Sequence, residues 1–239
     1  MSTLQWSVAV VATLLPPALH VVATIRSVYL RMHLWMWLAT LATGAALFVP
    51  LTFLLGLVQS WAEIDPLTGG GDQVMQLAYA FLIRAPLEMT VVLVAVLPFW
   101  RLRRLRMRAG LSRTIEIKEG VAFAVSGAFG FATARNLTFF YRAGDEWLDV
   151  GRASLWLAAF VLLCAGWGYL MGRYATKGMR SRRFRSAWLG ATIFSAVCDQ
   201  LCFRQGTGAL LAVLPLVASM LMVALVIWRD AVTREGLGV

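Results

Sequence analysis

Gly120–Arg142 reads GVAFAVSGAFGFATARNLTFFYR, and the reading of this stretch decides the fold. It is long enough and apolar enough to be expected to cross a bilayer, since a helix of about 20 apolar residues spans the hydrocarbon core. Yet it carries Arg135 and Asn136 inside it. An arginine near the middle of a spanning helix costs about 2.5–3.5 kcal/mol on insertion scales, and such residues face a bundle interior. The stretch is therefore expected to lie among other helices, with a counter-charge set against Arg135.

The rest of the composition agrees with a membrane setting. Of the 239 residues, 60% are hydrophobic and only 14% are charged, and mean hydropathy is +0.73. Soluble domains carry about 25% charged residues. A net charge of +10 would suit a nucleic-acid binder. Here, however, the basic residues sit between apolar spans and not on a soluble face, which is the pattern of positive-inside topology. No nucleic-acid partner is expected. The three cysteines, Cys164, Cys198 and Cys202, lie in apolar segments and imply no disulfide framework. MSTLQW has no Lys or Arg ahead of the first apolar run, so that run reads as a retained helix rather than a cleaved signal.

Seven spans follow from the apolar runs, giving an all-α polytopic membrane protein in a single domain, residues 1–239. They are Trp6–Ile25, Leu34–Val58, Val74–Trp100, Val121–Tyr141, Ala153–Tyr174, Ser186–Phe203 and Ala209–Trp228. Pro16 and Pro17 are expected to kink the first. Gly168-Tyr-Leu-Met-Gly172 in the fifth has the small-xxx-small spacing that lets two helices approach closely.

Most of the 22 lysines and arginines fall on one side of these spans: Arg26, Arg31, Arg101 to Lys118, Arg173 to Arg185, Arg229 and Arg234. The other side holds Arg142, Arg152 and Arg204, with Glu63, Asp65, Asp72, Asp145, Glu146 and Asp149. This asymmetry places the N-terminus outside and the C-terminus in the cytoplasm. The basic cytoplasmic loops suit anionic lipid. Trp6, Trp61 and Trp147 on one side, with Trp100, Trp188 and Trp228 on the other, fit aromatic belts.

Four charges remain inside the spans: Arg84, Glu88, Arg135 and Asp199. They sum to zero. Arg84 and Glu88 are four residues apart and share a helix face. At 1.5 Å per residue, the four lie about 18–24 Å from the cytoplasmic ends of their spans. Spans three, four and six are expected to meet there in one polar cluster, extended by Asn136 and Gln200. Unpaired, the four would cost about 10–14 kcal/mol, so mutual pairing is required. His20 and His33, the two histidines, lie near or at the cytoplasmic side and read as core or interface residues. Asn136-Leu-Thr138 matches a glycosylation sequon but lies within a span.

One stretch resembles a known motif. Gly127-Ala-Phe-Gly-Phe131-Ala-Thr-Ala-Arg135-Asn136-Leu is similar to the second motif of the PrsW family. These are membrane-embedded metalloproteases similar to the type II CAAX-protease group. In that family a phenylalanine is followed, four and five residues on, by Glu-Asn. The first family motif, Glu-Glu-x-x-Lys, corresponds to Leu87-Glu88-Met-Thr-Val91, and a later His-to-Asp element to Ser195-Ala-Val-Cys-Asp199. The resemblance covers about residues 75–205. The departures are Leu87, Val91, Arg135 and Ser195, each standing where the family has a charged or metal-binding residue. Catalytic zinc takes about three protein ligands, and Glu88 with Asp199 makes two. No metal and no cofactor are expected, and Arg135 would place its guanidinium where the family holds a cation.

Three functions are compatible with these residues. The resemblance implies a PrsW-like pseudoprotease of the bacterial inner membrane that binds another membrane protein or transmembrane segment, as a regulator or complex subunit. It also admits an active intramembrane metallopeptidase with Glu88 as base and Asp199 as ligand, which would need zinc. The intramembrane charges by themselves also suit a small-molecule or proton transporter.

Overall fold

The computed structural model describes residues 3–26, 34–61, 73–106, 113–143, 147–173, 182–203, 213–218 and 220–222. Every described segment is helical, which satisfies the backbone N–H and C=O groups within each segment without water, as lipid requires. The elements are α1 (Thr3–Arg26), α2 (Leu34–Trp61), α3 (Gln73–Tyr79), a π-helical turn (Ala80–Arg84), α4 (Ala85–Arg106), α5 (Arg113–Ala143), α6 (Trp147–Arg173) and α7 (Arg182–Phe203). Five helices are long and apolar enough to cross a membrane: Thr3–Thr24, Leu34–Trp61, Val74–Arg103, Trp147–Arg173 and Arg182–Phe203. The seventh expected span, Ala209–Trp228, lies largely outside the described residues.

α5, which contains the deciding stretch, does not belong to those five. Its packing explains why. α5 lies against α6 along most of its length and against α2, and it also meets α1 and α4. With other helices rather than lipid around it, the helix needs no continuous apolar surface, and glycine, alanine and polar residues stand between its buried phenylalanines. At 31 residues it runs well past the expected Val121–Tyr141, and its length is about 46 Å.

Glycines set how closely α5 is approached. A Cβ on Gly130 would strike the carbonyl of Leu41, and one on Gly44 the carbonyl of Gly127, so α2 and α5 cross with backbones in contact. A Cβ on Gly120 would meet the Gly168 carbonyl at 2.5 Å and the Gly172 nitrogen at 2.9 Å. The Gly168-to-Gly172 spacing is thus where α6 seats on α5. Aromatic rings fill the space on either side of these crossings. Phe123 lies against Trp37, with centroids 3.8 Å apart, and edge-on to Trp100. Trp100 is therefore a core residue, only 4% exposed, and not the interfacial belt residue expected.

The expected third span, Val74–Trp100, is continuous in the structure as Val74–Arg103, with Ala80–Arg84 forming a π turn in which the Ala85 N–H donates to the Ala80 carbonyl. Pro86 follows, with no N–H to give and a ring that crowds the Leu82 carbonyl four residues back. A widened turn relieves that crowding. One further expectation is corrected: Arg103 is not a loop charge. α4 continues to Arg106, and Arg103 is buried against Glu119 of α5. Pro16 and Pro17 lie within α1, which continues through both.

Gly130→Ala is expected to lower the melting temperature in detergent sharply, since its methyl group meets backbone. Gly56→Ala, with nothing within 4 Å, should leave it unchanged or slightly higher. Differential scanning fluorimetry of the two purified variants checks this, and equal shifts would contradict the close α2–α5 crossing.

Candidate functional site

The four intramembrane charges meet and close into a ring. Arg84 Nε donates to Glu88 Oε1 at 3.1 Å, one turn along the same helix. Arg84 Nη1 lies 3.1 Å from Asp199 Oδ2 on α7. From α5, Arg135 Nη1 donates to Glu88 Oε2 at 3.4 Å and Arg135 Nη2 donates to Asp199 Oδ1. Each carboxylate thus gives one oxygen to each guanidinium, and the signs alternate around the ring. The side chains of Glu88, Asp199 and Arg135 are buried, while that of Arg84 is 22% exposed.

Local structure explains the ring's placement. The π turn ends on Arg84, and α4 then carries Glu88 one regular turn on. α7 packs against α4, the π turn and α6, which brings Asp199 opposite both arginines. Arg135 is additionally held by rings. Its guanidinium carbon lies 3.6 Å from the Trp156 ring centroid and 5.3 Å from that of Phe203. Desolvated contacts of this kind are worth about 2 kcal/mol. Trp156 stacks on Phe160, which stacks on Phe131, which meets Phe48 edge-on. A continuous run of aromatic side chains therefore leads from α2 through α5 and α6 to the arginine.

Asn136 and Gln200 do not join the ring. Each is one residue from a ring member, so it points about 100° away on its helix. The Asn136 amide donates to the Ala153 carbonyl of α6 at 3.1 Å. Gln200 Nε2 has no hydrogen-bond partner. His20 sits between α1 and α5, with Nε2 2.9 Å from the Ser126 hydroxyl and its ring beside Phe129. His33 lies outside the described residues. Cys164, Cys198 and Cys202 are buried free thiols. Among the described residues, no three His, Cys, Asp or Glu side chains gather as a metal-ligand set.

The sequence reading missed three participants. Trp156 and Phe203 clamp Arg135; Trp156 is the fourth residue of the expected span Ala153–Tyr174, where a tryptophan reads as interfacial. Glu119 was the other. It pairs with Arg103 at 2.6 and 3.1 Å as a second buried bridge between α4 and α5.

Comparisons with protein-family models, curated proteins and solved structures give no match for this chain.

Removing one member of a buried ion pair leaves its partner uncompensated and costs about 3–5 kcal/mol. Arg135→Met should destabilise on that scale, and so should Glu88→Met. The double variant keeps the Arg84–Asp199 contact and restores charge balance, so its loss should be smaller than the sum by about 0.5–3 kcal/mol. Unfolding titrations in mixed micelles measure the cycle. Additive losses would mean that the charges act separately and not as a ring.

Proposed function

We propose that this chain is a PrsW-like integral membrane protein that has exchanged a metal centre for a fixed salt-bridge ring. It binds another membrane protein or a transmembrane segment without cleaving it, as a regulator or a complex subunit. The observation that carries this reading is the ring itself. Arg135 stands where the resembled motif has glutamate, and its guanidinium contacts both carboxylates that could otherwise have held a cation. A divalent ion placed between Glu88 and Asp199 would face Arg135 at contact distance, with no third ligand beside it among the described residues. Fixed internal cations make an added metal superfluous and leave no carboxylate unpaired to act as a base.

In this reading the chain crosses the membrane seven times, with its N-terminus outside and its basic segments facing the cytoplasm and anionic lipid. The bacterial setting follows from the PrsW resemblance, and within it the helical spans favour the inner membrane, since outer-membrane proteins are usually barrels. The partner is a membrane protein because the described chain is almost wholly membrane-embedded helix.

Extraction in a mild detergent at native expression, with mass spectrometry of co-purifying chains and elemental analysis of the same sample, tests the proposal. A membrane protein recovered in stoichiometric amount without zinc is the expected result. Stoichiometric zinc, together with peptide cleavage abolished by Glu88→Ala, would overturn it.

A further inference from the structure

Three members of the ring are closed off by the bundle and one is not. The Glu88, Asp199 and Arg135 side chains are 3%, 5% and 8% exposed, whereas that of Arg84 is 22% exposed. Arg84 gives Nε to Glu88 Oε1 and Nη1 to Asp199 Oδ2, each at 3.1 Å. Its Nη2 carries no hydrogen bond to any described residue. The guanidinium therefore turns one donor edge out of the bundle.

That edge lies deep in the bilayer. Arg84 is ten residues from Val74, where its span begins, or about 15 Å at helical rise. A hydrocarbon core is about 30 Å thick, so the edge is near its middle. Lipid tails offer no acceptor there, and an unmet N–H is strongly unfavourable. Snorkelling to the headgroups is closed to Arg84, because two carboxylates hold it. The surface beside it is apolar. α4 is a regular helix from Ala85, so Leu87 and Val91, three and seven residues on, share a face with Arg84. Both are half-buried, and Val94 beyond them is 50% exposed.

Chemistry narrows the occupant. A second copy related by a twofold axis would set the same donor edge against itself. A carboxylate would add a negative charge to a ring that already sums to zero. A transmembrane helix with an uncharged oxygen at mid-depth, from an Asn or Gln amide or a Ser or Thr hydroxyl, satisfies both limits. We propose that the Arg84 edge, with Leu87, Val91 and Val94, is the seat of a partner's transmembrane helix that presents such an oxygen to Nη2. This deepens the function proposed above and rests on it, since it places the binding surface and gives the partner one polar residue in the middle of a span.

Host peptides in liposomes test the seat. Full-length protein carrying a donor fluorophore is reconstituted with acceptor-labelled leucine–alanine transmembrane peptides, kept too dilute to pair with one another. One peptide has a central Asn, one has Leu in its place, and one has the Asn moved two turns toward an end. By energy transfer, the central-Asn peptide should associate about three- to thirty-fold more tightly than the others, the range one interhelical polar contact supplies. The Arg84→Met/Glu88→Met variant removes the edge and leaves Arg135 balanced by Asp199, and it should bring the three peptides level. Val91→Trp leaves every ring residue in place, obstructs the seat, and should abolish the preference too. Equal association of the three peptides with the unaltered protein, or a preference that survives in either variant that folds, would overturn the proposal. Energy transfer between labelled copies of the chain that is lost with Val91→Trp would assign the seat to a second copy and overturn it as well. The peptides stand in for the native partner, so their failure removes this seat, while the binding reading itself stands or falls on co-purification.

Discussion

A guanidinium in the hydrocarbon interior has to be met by carboxylate, and this requirement fixes how the helices of this chain stand. Arg135 cannot face lipid, so α5 has to lie inside the bundle. Glu88 and Asp199 have to come to it from two other helices, which sets the rotation and depth of α4 and α7. Arg84 then has to stand where it balances both acids, and the π turn ahead of Pro86 puts it there. Displacing any one helix by a turn would leave a charge uncompensated.

The second constraint is geometric. A helix screened from lipid by its neighbours must let them approach, and α5 does so with Gly120, Gly127 and Gly130. These crossings bring backbones together where side chains would otherwise hold them apart, and in lipid close packing of this kind replaces the hydrophobic driving force. The aromatic run from Phe48 to Trp156 fills the volume beside the crossings and ends on Arg135. Packing and electrostatics thus converge on the same residue. The Arg103–Glu119 bridge ties the opposite end of α5 to α4, so the two helices are pinned at both ends.

Much of the ring was legible in the sequence because charge is rare there and depth can be counted. Arg84, Glu88, Arg135 and Asp199 stood out by type, summed to zero, and fell at one level along their helices. Asn136 and Gln200, named with the cluster, take no part in the ring's ion pairs, because a helix turns about 100° between neighbours. Trp156 and Phe203 were missed because an aromatic residue in an apolar run gives no local sign that it faces a cation. Arg103 was misplaced because a charge next to an apolar run reads as its boundary, while the helix here continues and finds Glu119.

The sequence by itself determined the helical character of the chain, its membrane-compatible composition, and the identity and depth of the four charges that have to pair. Those follow from one-dimensional quantities: hydropathy, spacing and sign. Only the tertiary structure decided which helices pack on α5, that the charges close into a ring with each acid shared between both arginines, and that Trp156 lies beneath Arg135. These depend on helix rotation and crossing, which are set by glycine contacts and ring packing between residues far apart in the chain.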